Sequence, residues 1–275
     1  MRYLCLNFAI VLHLLYINFE LMMSSQIVNL LEKFNPIALV DMDRVKLMNR
    51  IDTKFAFDID TLIEILPELS QHYDALDIEG VRASHYESMY FDDDKLTFFK
   101  DHHVGKTNRF KVRIRKYVET NTHFLEIKHK FKGRTNKKRI NSLGFTEDLD
   151  ANQKEFLDGI LNKEIELQST LKNAFQRITL VHKTKNERLT LDFNLKFYNE
   201  TKSVDFKHLI IAELKQESLD RSSPFFIIMK KRMIRPYRLS KYCIGTMELY
   251  GDQNLKYNRF KRKYLYLKKI ENYAA

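Results

Sequence analysis

Two segments carry residue types at a spacing suited to anion chemistry. In Phe110-Lys111-Val112-Arg113-Ile114-Arg115 and in Phe124-Leu125-Glu126-Ile127-Lys128-His129-Lys130, charged residues alternate with apolar ones. A period of two is that of a β-strand, so Lys111, Arg113 and Arg115 share one face, and Glu126, Lys128 and Lys130 share one face of the next strand. Packed like charges gain nothing from one another and lose hydration, so such a wall persists only where water or a polyanion covers it. The chemistry that fits is phosphate binding, with Arg as a planar fork and Lys as a compact point charge.

The same alternation recurs along the chain. Asp52 and Lys54 lie opposite Thr53, Phe55 and Phe57; Arg188, Thr190 and Asp192 lie opposite Leu189, Leu191 and Phe193; Glu213 and Lys215 lie opposite Ile210, Ala212 and Leu214. Any one of these strands is a half-buried antiparallel strand with its charged face in water. Five together also fit a closed sheet whose apolar sides face outward and whose charged sides line a lumen. Glu213, and with it Glu126 and Asp192, would be out of place in a purely anion-binding channel. Carboxylates among such bases suggest a divalent cation, since Mg²⁺ and Mn²⁺ take hard oxygen ligands and bridge phosphate oxygens.

The elements that must position these residues read as mainly antiparallel β with flanking helices, an α+β chain. Strands are predicted around 50–58, 83–92, 95–101, 109–118, 123–131, 173–182, 187–198 and 206–215, with helices at 60–70 and 151–168 and one starting at Ser24, where Ile27, Leu30, Leu31 and Phe34 have helical spacing. The chain has 275 residues and a net charge of +11, enough for one large β-rich domain, placed at 24–253, with affinity for anions in general. Residues 1–23 are almost wholly apolar and read as a signal peptide, a marginal membrane helix, or an extension upstream of a start at Met22 or Met23. Residues 254–275 form a basic tail, read as a solvated amphipathic end. Cys5 and Cys243 suggest neither a disulfide framework nor a thiolate metal site, which fits a reducing, cytoplasmic setting. His102, His103, His123 and His129 read as solvated loop or edge residues without ligand spacing. Asp92-Asp93-Asp94 reads as a turn, and Lys132 to Arg139 as part loop, part solvated strand. Nucleic acid is a minor reading, because no helix-turn-helix, zinc-finger or RRM signature is present.

In order along the chain stand Arg50-Ile-Asp-Thr-Lys54-Phe, Tyr90-Phe-Asp92, Lys111-Val-Arg-Ile-Arg115, Phe124-Leu-Glu-Ile-Lys128, Lys137-Lys-Arg139, Phe175-Gln-Arg177, Arg188-Leu-Thr-Leu-Asp192, Ala212-Glu-Leu-Lys215 and Arg238-Leu-Ser-Lys241. Over roughly residues 35 to 250 this series resembles the polyphosphate polymerase domain of the VTC type, within the triphosphate tunnel metalloenzyme (CYTH-like) superfamily. The resemblance implies an eight-stranded antiparallel tunnel barrel with a basic lining. It implies Lys54, Arg113, Arg115, Lys128, Arg177, Arg188 and Lys241 as catalytic phosphate ligands. Arg139, Arg238 and Ser240 join Lys128 in binding substrate phosphate, and Glu213 is the implied metal ligand. The implied reaction transfers the ATP γ-phosphoryl group to inorganic polyphosphate and releases ADP, with Mn²⁺ or Mg²⁺ as cofactor and a membrane protein as a plausible partner. Other tunnel enzymes carry paired glutamates before the first lysine; here that region reads Asn49-Arg50-Ile51-Asp52-Thr53-Lys54, which weakens a tripolyphosphatase or cyclase reading. The alternatives kept open are a binding module for polyphosphate or inositol phosphates, and a triphosphate hydrolase of the same fold.

Overall fold

The computed structural model describes residues 22–45, 50–132, 134–161, 165–252 and 255–273. The three readings of the apolar segment fall almost wholly outside these residues. Helix α1 (22–31) buries Met23, Ile27 and Leu31 with Phe34, and its C-terminal carbonyls are held by Arg82, whose Nη1 donates to Leu31 O at 2.7 Å and Phe34 O at 3.1 Å. A short strand β1 (Pro36–Ile37) and a 3-10 turn (Leu39–Val45) lead to β2 (Ile51–Asp58) and α2 (Ile59–Leu69). Asp58 accepts Thr61 N at 2.8 Å and caps α2, which buries Leu62, Ile65, Leu66 and Leu69.

The rest of the sheet comprises β3 (Tyr73–Leu76), β4 (Ala83–Asp92), β5 (Arg109–Tyr117), β6 (Thr122–Phe131), β7 (Arg134–Asn141), β8 (Gln168–His182), β9 (Glu187–Tyr198), β10 (Ser203–Phe206) and β11 (Leu209–Gln216). Eight strands follow one another in the order β2-β11-β9-β8-β4-β5-β6-β7, and each neighbouring pair is antiparallel. The register shifts between Tyr90 and Phe91 and between Ala174 and Gln176, and such irregularities bend a sheet. The result is a curled antiparallel half-barrel. Its outer face packs Phe55, Phe57, Leu189, Leu191, Ala212 and Leu214 against α1, α2 and α5 (Pro224–Lys231).

Two helices finish the lumen. Helix α6 (Lys241–Tyr250) lies on the concave side: Tyr242 stacks on Tyr90 at 5.2 Å, and at Gly245 an added Cβ would stand 2.6 Å from Phe197 and 3.1 Å from Leu171. Helix α7 (Asn258–Tyr273) buries Leu267, and the Glu271 carboxylate accepts the backbone N–H groups of Lys207, His208 and Leu209 at 2.7, 3.0 and 3.0 Å. The tail therefore docks on the sheet rather than ending in solvent. The stretch between β2 and β5 is bridged by residues 237–240: Tyr237 N donates to Lys54 O at 2.6 Å, and Lys111 Nζ donates to Ser240 Oγ at 3.3 Å.

Two expectations need correction. Residues 95–101 are not a strand; Thr97–Val104 form helix α3. Asp93 accepts Thr97 N at 2.8 Å, and Asp92 accepts Phe98 N and Phe99 N at 2.8 and 2.9 Å, so two carboxylates meet the first free N–H groups of a helix. The helix read over 151–168 ends at Leu161 as α4 (Ala151–Leu161), and by Gln168 the chain is already paired with Asp92 in the sheet. No helix among the described residues is long and apolar enough to cross a membrane.

Candidate anion-binding lumen

Register places the charged side chains of the concave face against one another. Arg113 stands directly across from Glu126, Arg177 from Asp192, and Lys54 from Glu213. Each carboxylate gathers two cations. Glu126 accepts Arg113 Nε at 2.9 Å and Nη2 at 2.6 Å on one oxygen and Lys137 Nζ on the other. Asp192 accepts Arg177 Nε at 2.6 Å and Nη2 at 2.8 Å, and also Lys241 Nζ. Glu213 accepts Lys215 Nζ at 2.7 Å and has Lys54 Nζ at 3.5 Å.

Burial opposes the charge on all three carboxylates, but the neighbouring cations win and hold each below the ordinary carboxylate range: Arg113, Arg115 and Lys137 at Glu126, Arg177 and Lys241 at Asp192, and Lys215, Lys54 and Lys128 at Glu213. The lysines yield instead. Burial pulls Lys241 down to about 7 against the pull of Asp192, and Lys215 down to about 8 against that of Glu213.

Four further cations face the lumen with no carboxylate at ion-pair distance among the described residues. Arg188 is half-buried and its Nε, fully enclosed, has no hydrogen-bond partner; burial and the nearby charges of Arg50 and Arg177 lower its pKa. Arg115, 7% exposed, lies over the rings of Tyr86 and Phe175 at 5.6 and 5.9 Å, and its Nε donates to Ser88 Oγ at 3.3 Å. Lys111 has only the Ser240 hydroxyl, and burial beside Lys128 and Lys54 drives its pKa well down. Lys128 stands across from Lys111 on one side and Lys137 on the other. Buried cations left without a counter-charge are costly, and an anion in the lumen would relieve that cost.

The expected ligands divide accordingly. Lys54, Arg113, Arg115, Lys128, Arg177, Arg188 and Lys241 all come to the concave face. Arg139 is exposed at the rim, its guanidinium 4.4 Å from the Phe124 ring, and Arg238 is exposed as well. Ser240 reaches the lumen through Lys111. Lys111 and Lys215, read on charged strand faces, and Lys137 join the lining beside the implied ligands. Lys137 shows a faint sequence signal, since it is two residues from Arg139 and so shares its face.

For a metal, the expectation that Glu126 and Asp192 serve a divalent cation is not met, because both are saturated by Arg and Lys. Among the described residues no group of three or more His, Cys, Asp or Glu could hold a metal ion. Glu213 is the carboxylate that still fits: its side chain is 17% exposed against 2% and 4% for the other two, and one oxygen has only the 3.5 Å contact to Lys54. A lone carboxylate suits a hard cation whose other ligands are phosphate oxygens and water. His102 is no solvated loop residue. Arg109 Nε donates to its Nδ1 at 3.1 Å, its Nε2 lies 3.1 Å from Phe110 O, and burial with the charges of Lys111 and Arg109 drops its pKa to about 2, so it stays neutral.

Comparison with known proteins adds to this geometry. The VTC domain profile matches residues 49–250. Among solved structures, a candidate adenylate cyclase from Bacillus halodurans is 14% identical with a TM-score of 0.47, covering 70% of this chain and 94% of its own. Another from Vibrio parahaemolyticus is 10% identical with a TM-score of 0.42, covering 71% and 97%. A candidate adenylyl cyclase from Hippeastrum, described as having a dominant triphosphatase activity, is 10% identical with a TM-score of 0.43, covering 72% and 96%. No curated protein sequence matches the chain. With its family profile spanning most of the chain and the lumen residues in place on the folded sheet, the chain belongs to the VTC domain family.

Proposed function

We propose that the protein is a metal-dependent polyphosphate polymerase that transfers the ATP γ-phosphoryl group to the end of a polyphosphate chain and releases ADP. The observation that carries this reading is the set of lumen cations with no carboxylate at ion-pair distance among the described residues, Lys111, Arg115, Lys128 and Arg188, beside Arg113, Arg177 and Lys241, which are paired. Phosphoryl transfer asks little covalent help of a protein; positioning and charge neutralisation do most of it. Arg113, Arg115 and Lys128 grip the donor phosphates. Lys54, Arg177, Arg188 and Lys241 neutralise charge along the chain path, and Arg139, Arg238 and Ser240 add contacts toward the rim. Glu213 would hold the divalent cation, Mn²⁺ or Mg²⁺, which would supply positive charge against the phosphate oxygens during transfer.

The test is the full chain incubated with ATP and Mn²⁺ or Mg²⁺, with ADP and acid-insoluble polyphosphate followed together, beside Arg188→Met and Glu213→Gln. ADP and polymer appearing in step, both lost in the two variants, support the polymerase. Orthophosphate without polymer makes the protein a triphosphate hydrolase, and tight polyphosphate binding without turnover makes it a binding module.

A further inference from the structure

Strands β5 and β6 set cation opposite cation in two successive pairs on the concave face. Lys111 faces Lys128, and one same-face step further Arg109 faces Lys130. Like charges directly opposite one another destabilise a sheet, whereas the preceding pair, Arg113 with Glu126, is neutralised. The first of the two like pairs belongs to the lumen. The second lies about 7 Å further along the strands, where the neighbouring residues 106–108 and 131–132 are exposed.

Two more cations converge there from other parts of the chain. Arg238, exposed, adds to Arg109 and to burial in lowering the Lys130 pKa, and it lies two residues before the Ser240 hydroxyl that Lys111 reaches. From α7, Arg259 Nη1 donates to Val104 O at 2.7 Å, while Arg109 Nη1 donates to Lys106 O, so both guanidiniums are pinned to carbonyls of one turn. None of Arg109, Lys130, Arg238 and Arg259 has a carboxylate at ion-pair distance among the described residues; the nearby Asp101 is taken by Lys106 at 2.6 Å.

We propose that Arg109, Lys130, Arg238 and Arg259 form a second polyanion subsite, a track that holds the phosphate chain where it continues out of the lumen between β5–β6 and the 238–240 segment. This rests on the lumen being the phosphate-chain site. The occupant is a phosphate polymer rather than a separate anion because the band continues the lumen on the same two strands, rung after rung, with no carboxylate between. Short ligands end inside the lumen and never reach it; long chains do.

The experiment compares the full wild-type chain, the Lys130→Gln/Arg259→Gln double variant and Arg188→Met for binding of tripolyphosphate, of a long-chain polyphosphate, and of phosphatidylserine vesicles. The double variant is expected to bind tripolyphosphate within about twofold of wild type, which also shows that it folds, and the long chain about tenfold or more weakly. Its long-chain affinity should also fall less steeply with salt, by about one unit of log–log slope per lost phosphate contact. Unchanged long-chain affinity, or equal loss for both lengths, overturns the track. Loss of vesicle binding with long-chain affinity intact overturns it too and reassigns the band to a membrane surface. Failure of the lumen reading is separately visible: wild type then binds no tripolyphosphate, or Arg188→Met binds it as wild type does, and the track falls with it.

Discussion

Phosphate binding in the lumen should take up protons, and the number is set by lysines that burial has discharged. Lys241 is lowered to about 7 and Lys215 and Lys137 to about 8, each by burial that outweighs a neighbouring carboxylate, and burial beside Lys128 and Lys54 drives Lys111 well down. For a lysine whose folded pKa is depressed, the native state binds fewer protons than the unfolded chain between the two pKa values. Such a group therefore lowers the stability of the empty protein below its folded pKa, and the deficit shrinks as pH rises from about 7 or 8 toward the ordinary lysine value. An anion placed beside it favours the charged form and raises its pKa, so binding must draw a proton from solution wherever the empty site has lost one. Asp192 and Glu213 are held below the carboxylate range and stay ionised throughout, so they add nothing to the slope. A long-chain polyphosphate adds little either, since each interior phosphate has a single, strongly acidic proton that is already lost at neutral pH.

From these values, log affinity for long-chain polyphosphate should fall with a slope of about −1 between pH 7 and 8 as Lys241 titrates, and steepen toward about −3 above pH 8 as Lys215 and Lys137 join it, with Lys111 steepening it further. Titration calorimetry in two buffers of different ionisation heat counts the protons directly. In Lys241→Arg the charge is fixed, and the proton count above pH 7 should drop by about one. An affinity flat from pH 7 to 9, with no buffer-dependent heat, would refute the claim that burial discharges these lysines.

Three further outcomes follow from single contacts. Asp192→Asn removes the carboxylate shared by Arg177 and Lys241 and should cost about 3–5 kcal/mol of stability by chemical denaturation, with saturating polyphosphate restoring part of it; equal losses with and without ligand would argue against an anion among these groups. Gly245→Ala drives a methyl group into Phe197 and Leu171 and should cost about 1–3 kcal/mol; an unchanged melting temperature would show that α6 is not packed against β8 and β9. Glu271→Ala frees three N–H groups and should cost about 2 kcal/mol, with faster amide hydrogen exchange at Lys207, His208 and Leu209; protection retained there would refute the clasp.

The lumen strands were legible because each must be apolar outside and charged inside, a pattern that period two exposes at once in Arg188 to Phe193 or Phe110 to Arg115. β7 was legible only as part loop, part solvated strand over Lys132 to Arg139, because Arg134 to Asn141 is polar on both faces, as an exposed edge strand can be, so no alternation marks its bounds. α6 escaped for the opposite reason: Tyr242 to Leu249 are buried all round between sheet and α7, and no amphipathic stripe remains. α3 was hidden by Phe98 and Phe99, which favour strands, and was decided by Asp92 and Asp93 at its first turn. α7 was read as solvated because it is rich in charged residues, while a few side chains, Leu267, Lys268 and Glu271, tie it to the sheet.

The site was less legible than the fold because faces follow from one strand whereas partners follow from register. Glu126, Asp192 and Glu213 look alike as isolated carboxylates among bases. On the folded sheet Glu126 and Asp192 each accept an arginine through two N–H groups and a lysine besides, which fixes Arg113 and Arg177 before any ligand arrives. Arginines fixed in this way hold the wall in shape and meet a phosphate with their remaining N–H groups already oriented, although their charge is partly offset. The attraction is carried most by the lumen cations with no carboxylate at ion-pair distance among the described residues, Lys111, Arg115, Lys128 and Arg188, and of the three carboxylates Glu213 is the most loosely held. Truncating Arg188 or Lys128 should therefore weaken phosphate binding while sparing stability, and truncating Glu126 or Asp192 should cost stability while phosphate binding tightens, because the cations they held are released to the ligand. A fold that served only to display charge would show neither separation.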